Sequence, residues 1–361
     1  MLIYLMPLLA PALLVTTAML LHRRADLSAR DTARASEAAA FCGFIIALIT
    51  LALLMANGAG DSPLLGLFGI GLSARVDVVS VSMLLLVSFI GWIVVRYART
   101  YLDGEAGQNR FTFWLLLTLA AVMLLVQSGN VLQFVSAWVA TSLSLHKLLL
   151  FYPGRVAAQR AAYKKFVTAR AGDGALGLAA MLKSAQFPTH GWLTEVMEAP
   201  TPVSALLHAG VVNGGGFLLI RFADVMLLSP LVLALLVGIG GFTALFGGVV
   251  MLTQPTVKAS LAWSTVSQMG FMILQCGLAL FPLALLHILA HSLYKAHAFL
   301  SAGSAVELVA KNRRPGPVAV PDGGAVLRAF GLAIAIYAVV YVVSGALIGF
   351  GAKSPQAVAL G

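Results

Sequence analysis

Charged residues are scarce in this chain, and acidic residues are the scarcest of them. Of 361 residues, 60% are hydrophobic and 10% are charged, with 13 acidic side chains against 23 basic ones. A soluble globular domain is about a quarter charged, so this composition excludes an ordinary soluble domain. Apolar runs of roughly 17–25 residues, long enough to cross a bilayer as helices, recur along the chain. The sequence therefore predicts an all-α, polytopic membrane helix bundle.

Cysteine is nearly absent as well. Cys42 and Cys276 both lie in apolar runs and lack metal-ligand spacing, which excludes a disulfide framework or a zinc site built on them. We expect both to be packing residues and expect no cofactor in this chain. A formal net charge of +10 is high enough to attract nucleic acid, but the basic residues cluster in loops beside the apolar runs. There they act as topology signals, so no nucleic-acid partner is expected.

Ten apolar runs are predicted to span the membrane, and the helix count is therefore about ten or eleven. They lie at 2–21, 38–56, 76–95, 111–127, 130–151, 201–220, 230–253, 257–279, 281–303 and 327–350. Short connections predict a single transmembrane domain, with N-terminal spans in 1–110, a core in 111–303 and a C-terminal loop and last span in 304–361. The first run ends in His-Arg-Arg with no basic residue before it, the reverse of a signal peptide, so we expect a span rather than a leader.

Basic loops alternate with loops that have almost no basic residues. Loops 22–36, 96–110 and 152–165 are basic, whereas 57–75 and 128–129 hold one arginine between them. The positive-inside rule then predicts an external N-terminus and cytoplasmic basic loops. An eleventh span at 166–187 would turn the basic loop 304–326 outward, and three charged residues interrupt that segment. We therefore predict that 166–187 is re-entrant or packed within protein, and that loops 152–165 and 188–200 share the cytoplasmic side.

The predicted span 281–303 contains a column of ionisable residues. His287, His291 and Lys295 follow one another at four-residue intervals, which places them on one face of a helix, whereas His297 points elsewhere. An ionisable group at membrane depth costs at least about 2.5–3.5 kcal/mol on insertion scales, so its presence suggests function. Zinc binding by the two histidines is weakly supported because the next group is a cation. Hydrogen bonding to neighbouring helices and proton or ion transfer remain, and histidine chemistry favours transfer.

A second polar stretch lies at residues 183–216. The residues expected to break or kink its helices are Pro188, Pro200, Pro202, Gly214, Gly215 and Gly216, and the three glycines permit either local unwinding or close approach of another helix. Interrupted helices that carry polar residues build the midplane sites of transporters. His208 lies inside the span and joins the candidate relay. Lys183, and Lys258 at the start of a later span, are either membrane-edge anchors or further relay members.

Four segments in order carry a family resemblance: KSAQFPTHGWL, EAPTPVSALLHAG, KASLAWSTVSQMG and HILAHSLYKAHAFLSAGS. They resemble signature segments of the antiporter-like membrane subunits shared by NADH:quinone oxidoreductase, as its subunit 5, and Mrp-type Na+/H+ antiporters. The resemblance implies broken helices of the antiporter type. It also implies a polar axis that carries protons along the membrane midplane, formed by Lys183, His208, His287, His291 and Lys295.

Two further stretches narrow the resemblance to one branch. TSLSLHKLLLFYPGR with YKKFVTARAGD, and LLHAGVVNGGGFLLIR, are similar to the membrane subunit of the DAB inorganic-carbon accumulation system. That similarity implies a proton- or Na+-conducting subunit in a bacterial inner membrane. It further implies that CO2 hydration takes place on a soluble partner resembling a zinc β-carbonic anhydrase, with zinc on the partner. The alternatives are a respiratory or Na+/H+ antiporter subunit, and a shortened subunit that only scaffolds its partner.

The chain also departs from the family in two places. Val139, after Trp138, stands where the respiratory and antiporter branch has a glutamate. Relatives also have about a helical hairpin of extra chain between Gly172 and Lys183. The first departure removes the carboxylate of an ion-pair pumping step, and the second places the depth of Lys183 in question.

Overall fold

A computed structural model describes residues 2–24, 28–67, 70–105, 107–152, 159–160, 162–165, 176–196, 199–311 and 322–348. A 3-10 helix, Leu2–Leu8, leads into α1. The α-helices are α1 Leu9–Arg23, α2 Ala29–Asn57, α3 Val78–Tyr101, α4 Gln108–Val126, α5 Val131–Leu149, α6 Leu176–Lys183, α7 Gly191–Glu195, α8 Thr201–Ala209, α9 Gly214–Arg221, α10 Ala223–Met226, α11 Pro230–Leu252, α12 Val257–Gly277, α13 Phe281–Lys311 and α14 Gly323–Ile348. Two short antiparallel pairs lie between α2 and α3: β1 Gly60–Asp61 with β4 Arg75–Val76, and β2 Leu65–Leu67 with β3 Ile70–Leu72.

The predicted spans coincide with helices. Seven helical segments in the described residues are long and apolar enough to cross a membrane: Leu2–Arg23, Ala29–Asn57, Val78–Tyr101, Gln108–Val126, Thr201–Arg221, Pro230–Leu252 and Phe281–Ala302. The spans predicted at 130–151 and 257–279 fall on α5 and α12, which carry more hydroxyl and amide side chains. The last predicted span falls on α14 and ends outside the described residues. The prediction of an all-α polytopic bundle is confirmed.

The chain divides into two compact units. The first, residues 1–302, contains α1 to α12 and most of α13, together with the buried apolar core. The second, residues 303–361, contains the end of α13 and α14, and the described apolar side chains of α14 are exposed. All of the candidate relay residues belong to the first unit.

Polar side chains fix where several helices begin. Ser28 caps α2, Asp77 caps α3 in a reciprocal capping box with Ser80, Asn130 caps α5 and Thr256 caps α12. Each cap accepts a hydrogen bond from a backbone N–H that the first turn would otherwise leave unpaired. The helix starts in this bundle are therefore encoded locally.

Ion pairs group the loops at two ends of the bundle. At one end Glu37 of α2 pairs with Arg99 of α3, with 2.7 Å between Oε2 and Nη1, and Arg30 pairs with Asp103. At the other end Arg221 pairs with Asp77. The loops predicted to be cytoplasmic, 22–36 and 96–110, thus share one end of the bundle. The start of α3 and the end of α9 meet at the other end of the bundle.

Part of segment 166–187 lies outside the described residues, and the rest is packed in protein. The eight-residue helix α6 and the turn after it are largely buried, and α6 packs against α9. Lys164 and Glu195 form an ion pair, so the described parts of loops 152–165 and 188–200 meet on the same side, as predicted, and the cytoplasmic identity of that side stays a prediction. The expectation for the cysteines holds only for Cys276, which is buried, because Cys42 lies on the exposed surface of α2.

Glycines bring α11 and α12 into close contact. A Cβ atom at Gly240 would lie 2.6 Å from the backbone nitrogen of Leu274, and one at Gly270 would lie 2.5 Å from that of Ala244. Ser267 of α12 donates a hydrogen bond of 2.8 Å to the carbonyl of Ala244 on α11. Small residues permit such close backbone approach in membrane bundles, and here they fix α11 beside α12.

Candidate functional site

The span 201–221 is interrupted at its middle. Helix α8 ends at Gly210, whose φ and ψ of −121° and −72° are not helical, and a 3-10 turn, Val211–Asn213, precedes α9. A Cβ atom at Gly210 would lie 2.8 Å from the carbonyl oxygen of Leu206, so the turn requires glycine. The break predicted for this span exists. The break lies at Gly210, about one turn before the predicted glycine triplet, because the close contact with the Leu206 carbonyl occurs there.

The prolines and the glycine triplet have other roles. Pro200 and Pro202 stand at the start of α8, where proline suits the first turn, so they begin this helix rather than break it. Gly214, Gly215 and Gly216 lie inside α9 in helical conformation. A Cβ at Gly215 would overlap Ser184 and Ala180, and one at Gly216 would overlap Met272. The triplet therefore provides close approach to α6 and α12, one of its two predicted roles.

Pro188 follows a cis peptide bond in the segment between α6 and α7. His190, two residues on, stacks on Phe187 and contacts Trp263 of α12, with ring centroids 5.0 Å apart in the second pair. Burial, and next the ammonium group of Lys164, lower the pKa of His190 below its ordinary value. Trp263 precedes Ser264, so this aromatic cluster adjoins the residues that hold Lys295.

Lys295 is the most completely buried lysine of the candidate set. Its side chain is 0% exposed, and Nζ donates hydrogen bonds to Ser264 Oγ at 2.8 Å and to the Leu261 carbonyl at 3.1 Å. Both acceptors belong to α12, so the lysine side chain links α13 to α12. Neutral acceptors solvate the ammonium group without cancelling its charge. The polar residue Ser264 thus lies where a proton-carrying lysine needs an acceptor.

His287 is oriented by a residue that the sequence prediction missed. Its Nδ1 lies 3.0 Å from Oε1 of Gln275, on α12. An amide oxygen accepts only, so this bond places the proton of the neutral ring on Nδ1 and leaves Nε2 as the acceptor. Among the described residues Nε2 has no hydrogen-bond partner. Gln275 therefore holds His287 in a form that can receive a proton.

His291 and His208 complete the cluster. Both side chains are buried, and none of their four ring nitrogens has a hydrogen-bond partner among the described residues. His291 lies within electrostatic range of Lys295, His287 and His208, and its ring centroid is 6.1 Å from that of His287. His208 stacks on Phe299 of α13 with centroids 4.4 Å apart. The structure thus brings four of the predicted relay residues together, whereas His297 is exposed, as predicted.

Asn213 joins the break in the span to α13. Its Nδ2 donates to Ser292 Oγ at 2.7 Å and to the Ala209 carbonyl at 2.9 Å, and both Asn213 and Ser292 are fully buried. Ser292 follows His291 directly. Asn213 therefore donates to the Ala209 carbonyl, which the interruption leaves without a helical partner. In the sequence, Asn213 stood out only as an amide within an apolar run.

The two remaining lysine candidates lie apart from this cluster. Lys183 ends α6 and is buried, with its Nζ 4.5 Å from the ring centroid of Trp138. It shares a cavity of about 10 Å³ with Lys165, a buried lysine that donates to Ser142 Oγ at 3.0 Å and that the sequence placed in a loop. Lys258 is half-buried in the first turn of α12. The relay role of both candidates stays a prediction.

Among the described residues, no carboxylate forms an ion pair or a hydrogen bond with the cluster. Between residues 201 and 303 the sequence has one acidic residue, Asp224, which is exposed on the short helix α10. Val139 beside Trp138 supplies none. Within the described part of the chain, no group of three or more His, Cys, Asp or Glu side chains is arranged to hold a metal. The site therefore consists of bases, amides and hydroxyls in an apolar surround.

Two family profiles match the chain. Residues 174–314 match the family described as NADH:quinone oxidoreductase/Mrp antiporter, TM, and residues 64–112 match the NADH-ubiquinone oxidoreductase (complex I) chain 5 N-terminus. Together the two matches cover more than half of the chain. The first contains every predicted relay residue.

Curated relatives agree with these matches. A probable inorganic carbon transporter subunit DabB of Hydrogenovibrio crunogenus is 44% identical over 66% of this chain and 54% of its own length. Subunit DabB2 of Halothiobacillus neapolitanus is 40% identical over 81% of this chain and 62% of its own length. NADH-ubiquinone oxidoreductase chain 5 of Chondrus crispus is 30% identical over 69% and 45%. The chain thus spans about half the length of the curated relatives it matches.

Solved structures show the same fold. A chain of the Mrp complex from a Dietzia species superimposes with a TM-score of 0.74 at 24% identity, over 88% of this chain and 39% of that one. A chain of the membrane-bound sulfane sulfur reductase, an archaeal respiratory membrane complex, superimposes with a TM-score of 0.71 at 17% identity, over 82% and 70%.

Proposed function

The chain belongs to the family of antiporter-like membrane subunits of NADH:quinone oxidoreductases and Mrp antiporters, and from this premise we propose that it conducts protons in an inorganic-carbon uptake complex. The DabB relatives, at 40–44% identity, support the choice of branch. The observation that supports conduction is the cluster of buried Lys295, His291 and His208 with half-buried His287, which has no acidic partner among the described residues.

The composition of the cluster favours a mobile proton. Several cations cannot be charged together in a low-dielectric region without counter-charges, because each buried charge carries a large desolvation cost. The cluster therefore holds few excess protons at a time, and neighbouring bases compete for them. We propose that a proton shared in this way moves between the bases rather than staying on one residue.

The geometry suggests how each residue acts. Lys295 holds a proton against Ser264 Oγ and the Leu261 carbonyl. His291 accepts it and passes it to Nε2 of His287, which Gln275 keeps unprotonated in the neutral ring. The two rings form no hydrogen bond with each other, so the proposed step passes through one bridging water between their ring nitrogens. His208 extends the relay toward the break in span 201–221, and Lys183 is its continuation toward α5.

The chemistry of carbon uptake would belong to a partner. We propose a soluble subunit resembling a zinc β-carbonic anhydrase, with the zinc on that partner, and an ion-translocating rather than catalytic role for this chain. Protons are the proposed coupling ion, with Na+ as the alternative. We further propose a bacterial inner membrane with the N-terminus outside, on the basis of the basic loops at one end of the bundle.

A second candidate function is a subunit of a respiratory complex or Na+/H+ antiporter. The NADH-ubiquinone oxidoreductase relatives, at 30–33% identity, favour it. Val139 counts against it, because that branch uses a glutamate at this position. A subunit that only scaffolds its partner is the third candidate.

Expression with and without the partner tests the proposal. A bacterial host that lacks carbonic anhydrase should grow in ordinary air when this chain is expressed with the carbonic-anhydrase-like subunit, and should fail with either one alone. The co-purified partner should be a soluble zinc protein. Co-purification with a set of hydrophobic subunits would instead support the respiratory or antiporter function. Growth with this chain alone would indicate a self-sufficient bicarbonate transporter.

A further inference from the structure

A cavity between α1, α2 and α4 lies at the end of the bundle where the basic loops meet. Its volume is about 70 Å³, which is room for several waters or one tetrahedral oxyanion, since a single water needs about 10–15 Å³ of such space. Its polar lining consists of His22, Arg24, Thr32, Ser36, Asn109 and Thr112. None of these residues belongs to the relay cluster.

One hydroxyl in this lining is buried without a partner. Thr32 is 4% exposed, and its Oγ1 has no hydrogen-bond partner among the described residues. The other two hydroxyls are occupied: Ser36 donates to the Thr32 carbonyl at 2.7 Å, and Thr112 donates to the Gln108 carbonyl at 2.9 Å. A buried hydroxyl without a partner costs free energy, so Thr32 calls for an acceptor in the cavity.

Arg24 brings a positive charge to the cavity lining. Within the described part of the chain, Arg24 forms no ion pair, and Asn109 forms no side-chain hydrogen bond. His22 is held beside the cavity by its ring contact with Phe113, with centroids 4.6 Å apart. Cationic and amide donors thus surround the free hydroxyl.

The carboxylates of α2 do not neutralise this charge. Asp31 accepts a hydrogen bond of 2.7 Å from Ser28 and lies 4.0 Å from Arg34, and Glu37 pairs with Arg99. These two are the only acidic residues of α2. The start of α2 adds the positive end of a helix dipole to the same region.

We propose that this cavity binds the phosphate group of an anionic phospholipid. The cavity lies at the ends of membrane-spanning helices, the depth at which lipid phosphates lie, and basic pockets between such ends suit acidic headgroups. The guanidinium of Arg24 and the hydroxyl of Thr32 would donate to phosphate oxygens, with Asn109 and His22 as further donors. The acyl chains would follow the exposed apolar faces of α1 and α2.

Native mass spectrometry of the purified full chain with phosphatidylglycerol tests this proposal. Arg24→Gln and Thr32→Val should each weaken lipid retention about tenfold, because each removes a hydrogen bond to a charged oxygen. Arg23→Gln and Thr16→Val are matched controls outside the cavity and should retain the lipid as the unaltered chain does. Thr32→Ser keeps the hydroxyl and should also retain it. Equal retention by Arg24→Gln and Arg23→Gln would overturn the proposal.

Two further ligands separate the possible sources of the phosphate. Diacylglycerol, which lacks phosphate, should not be retained, and excess inorganic phosphate should not displace phosphatidylglycerol. Equal retention of both lipids would mean that the cavity does not recognise phosphate. Displacement by inorganic phosphate, with loss of that effect in Arg24→Gln, would assign the site to free phosphate and overturn the lipid proposal.

Discussion

Charged residues at the two ends of the bundle form ion pairs, whereas the relay cluster in its interior forms none with the described residues. At the ends, acidic and basic residues pair with one another, as Glu37 does with Arg99 and Asp77 with Arg221. In the interior, around Lys295, basic residues occur with hydroxyl and amide partners and without a carboxylate. Paired charges at the ends fix helix positions and topology. Unpaired bases at depth are costly to keep, and this cost is accounted for by a function that needs them.

The largest effect should come from removing the buried ammonium group. Lys295→Met keeps similar length without the charge, so we expect normal membrane abundance and partner binding with carbon uptake abolished. His291→Phe should approach the same loss, since it interrupts the column. His297→Phe, on an exposed position of the same helix, is the matched control and should change uptake little. Uptake normalised to abundance checks all three, and a Lys295→Met protein that still drives uptake would mean that the relay assignment is wrong.

A smaller effect should come from the residue that orients His287. Gln275→Leu removes the acceptor at Nδ1 and lets the neutral ring take either tautomer, so uptake should fall several-fold without being lost. Gln268→Leu, at an exposed position of α12, is its control. Identical uptake rates for the two variants would show that Gln275 serves packing only.

At the ends of the bundle, substitution should affect stability and leave conduction intact. Asp77→Asn leaves the partly buried Arg221 without its counter-charge, and we expect a loss of about 1–3 kcal/mol. Asp103→Asn breaks an exposed pair with Arg30 and should cost less than about 1 kcal/mol. Thermal unfolding in detergent measures both. A defect in uptake per folded molecule in Asp77→Asn would contradict the separation of the two kinds of charge.

The smallest functional effect is expected from single cysteines that report topology. Gln159→Cys and Thr194→Cys, on a background without Cys42 and Cys276, should react alike with an impermeant thiol reagent, because the Lys164–Glu195 pair joins their loops. Opposite labelling would place 166–187 across the membrane and reverse every later span.

Much of the fold was predictable because apolar runs mark the membrane-spanning helices and basic loops mark their orientation. The helices, the packing of α6 and the spacing of the column all follow from local sequence. The hydrogen-bond partners of the column could not be predicted. Gln275 and Asn213 are single amides in apolar runs, and no nearby residue in the sequence indicates that they contact His287 and Ser292. The sequence placed the helix break at the glycine triplet, whereas the structure has it at Gly210. Local sequence did not separate the two positions, because Gly210 contacts a carbonyl of its own helix and the triplet contacts two other helices.

Buried Lys165 shows a further limit of sequence reasoning. The sequence places this lysine in the basic loop 152–165, and only tertiary packing brings its ammonium group against Ser142. Its depth is set by α5 and α6 together, which no local pattern encodes.

Proton movement in proteoliposomes tests the central claim most directly. The complex purified through this chain, reconstituted with a pH-sensitive dye inside the vesicles, should acidify or alkalinise the lumen when a proton gradient is imposed. The same complex carrying Lys295→Met should leave the dye signal at the level of empty vesicles, with its partner still bound. Equal proton movement in the two preparations would contradict the assignment of the buried column as the proton path.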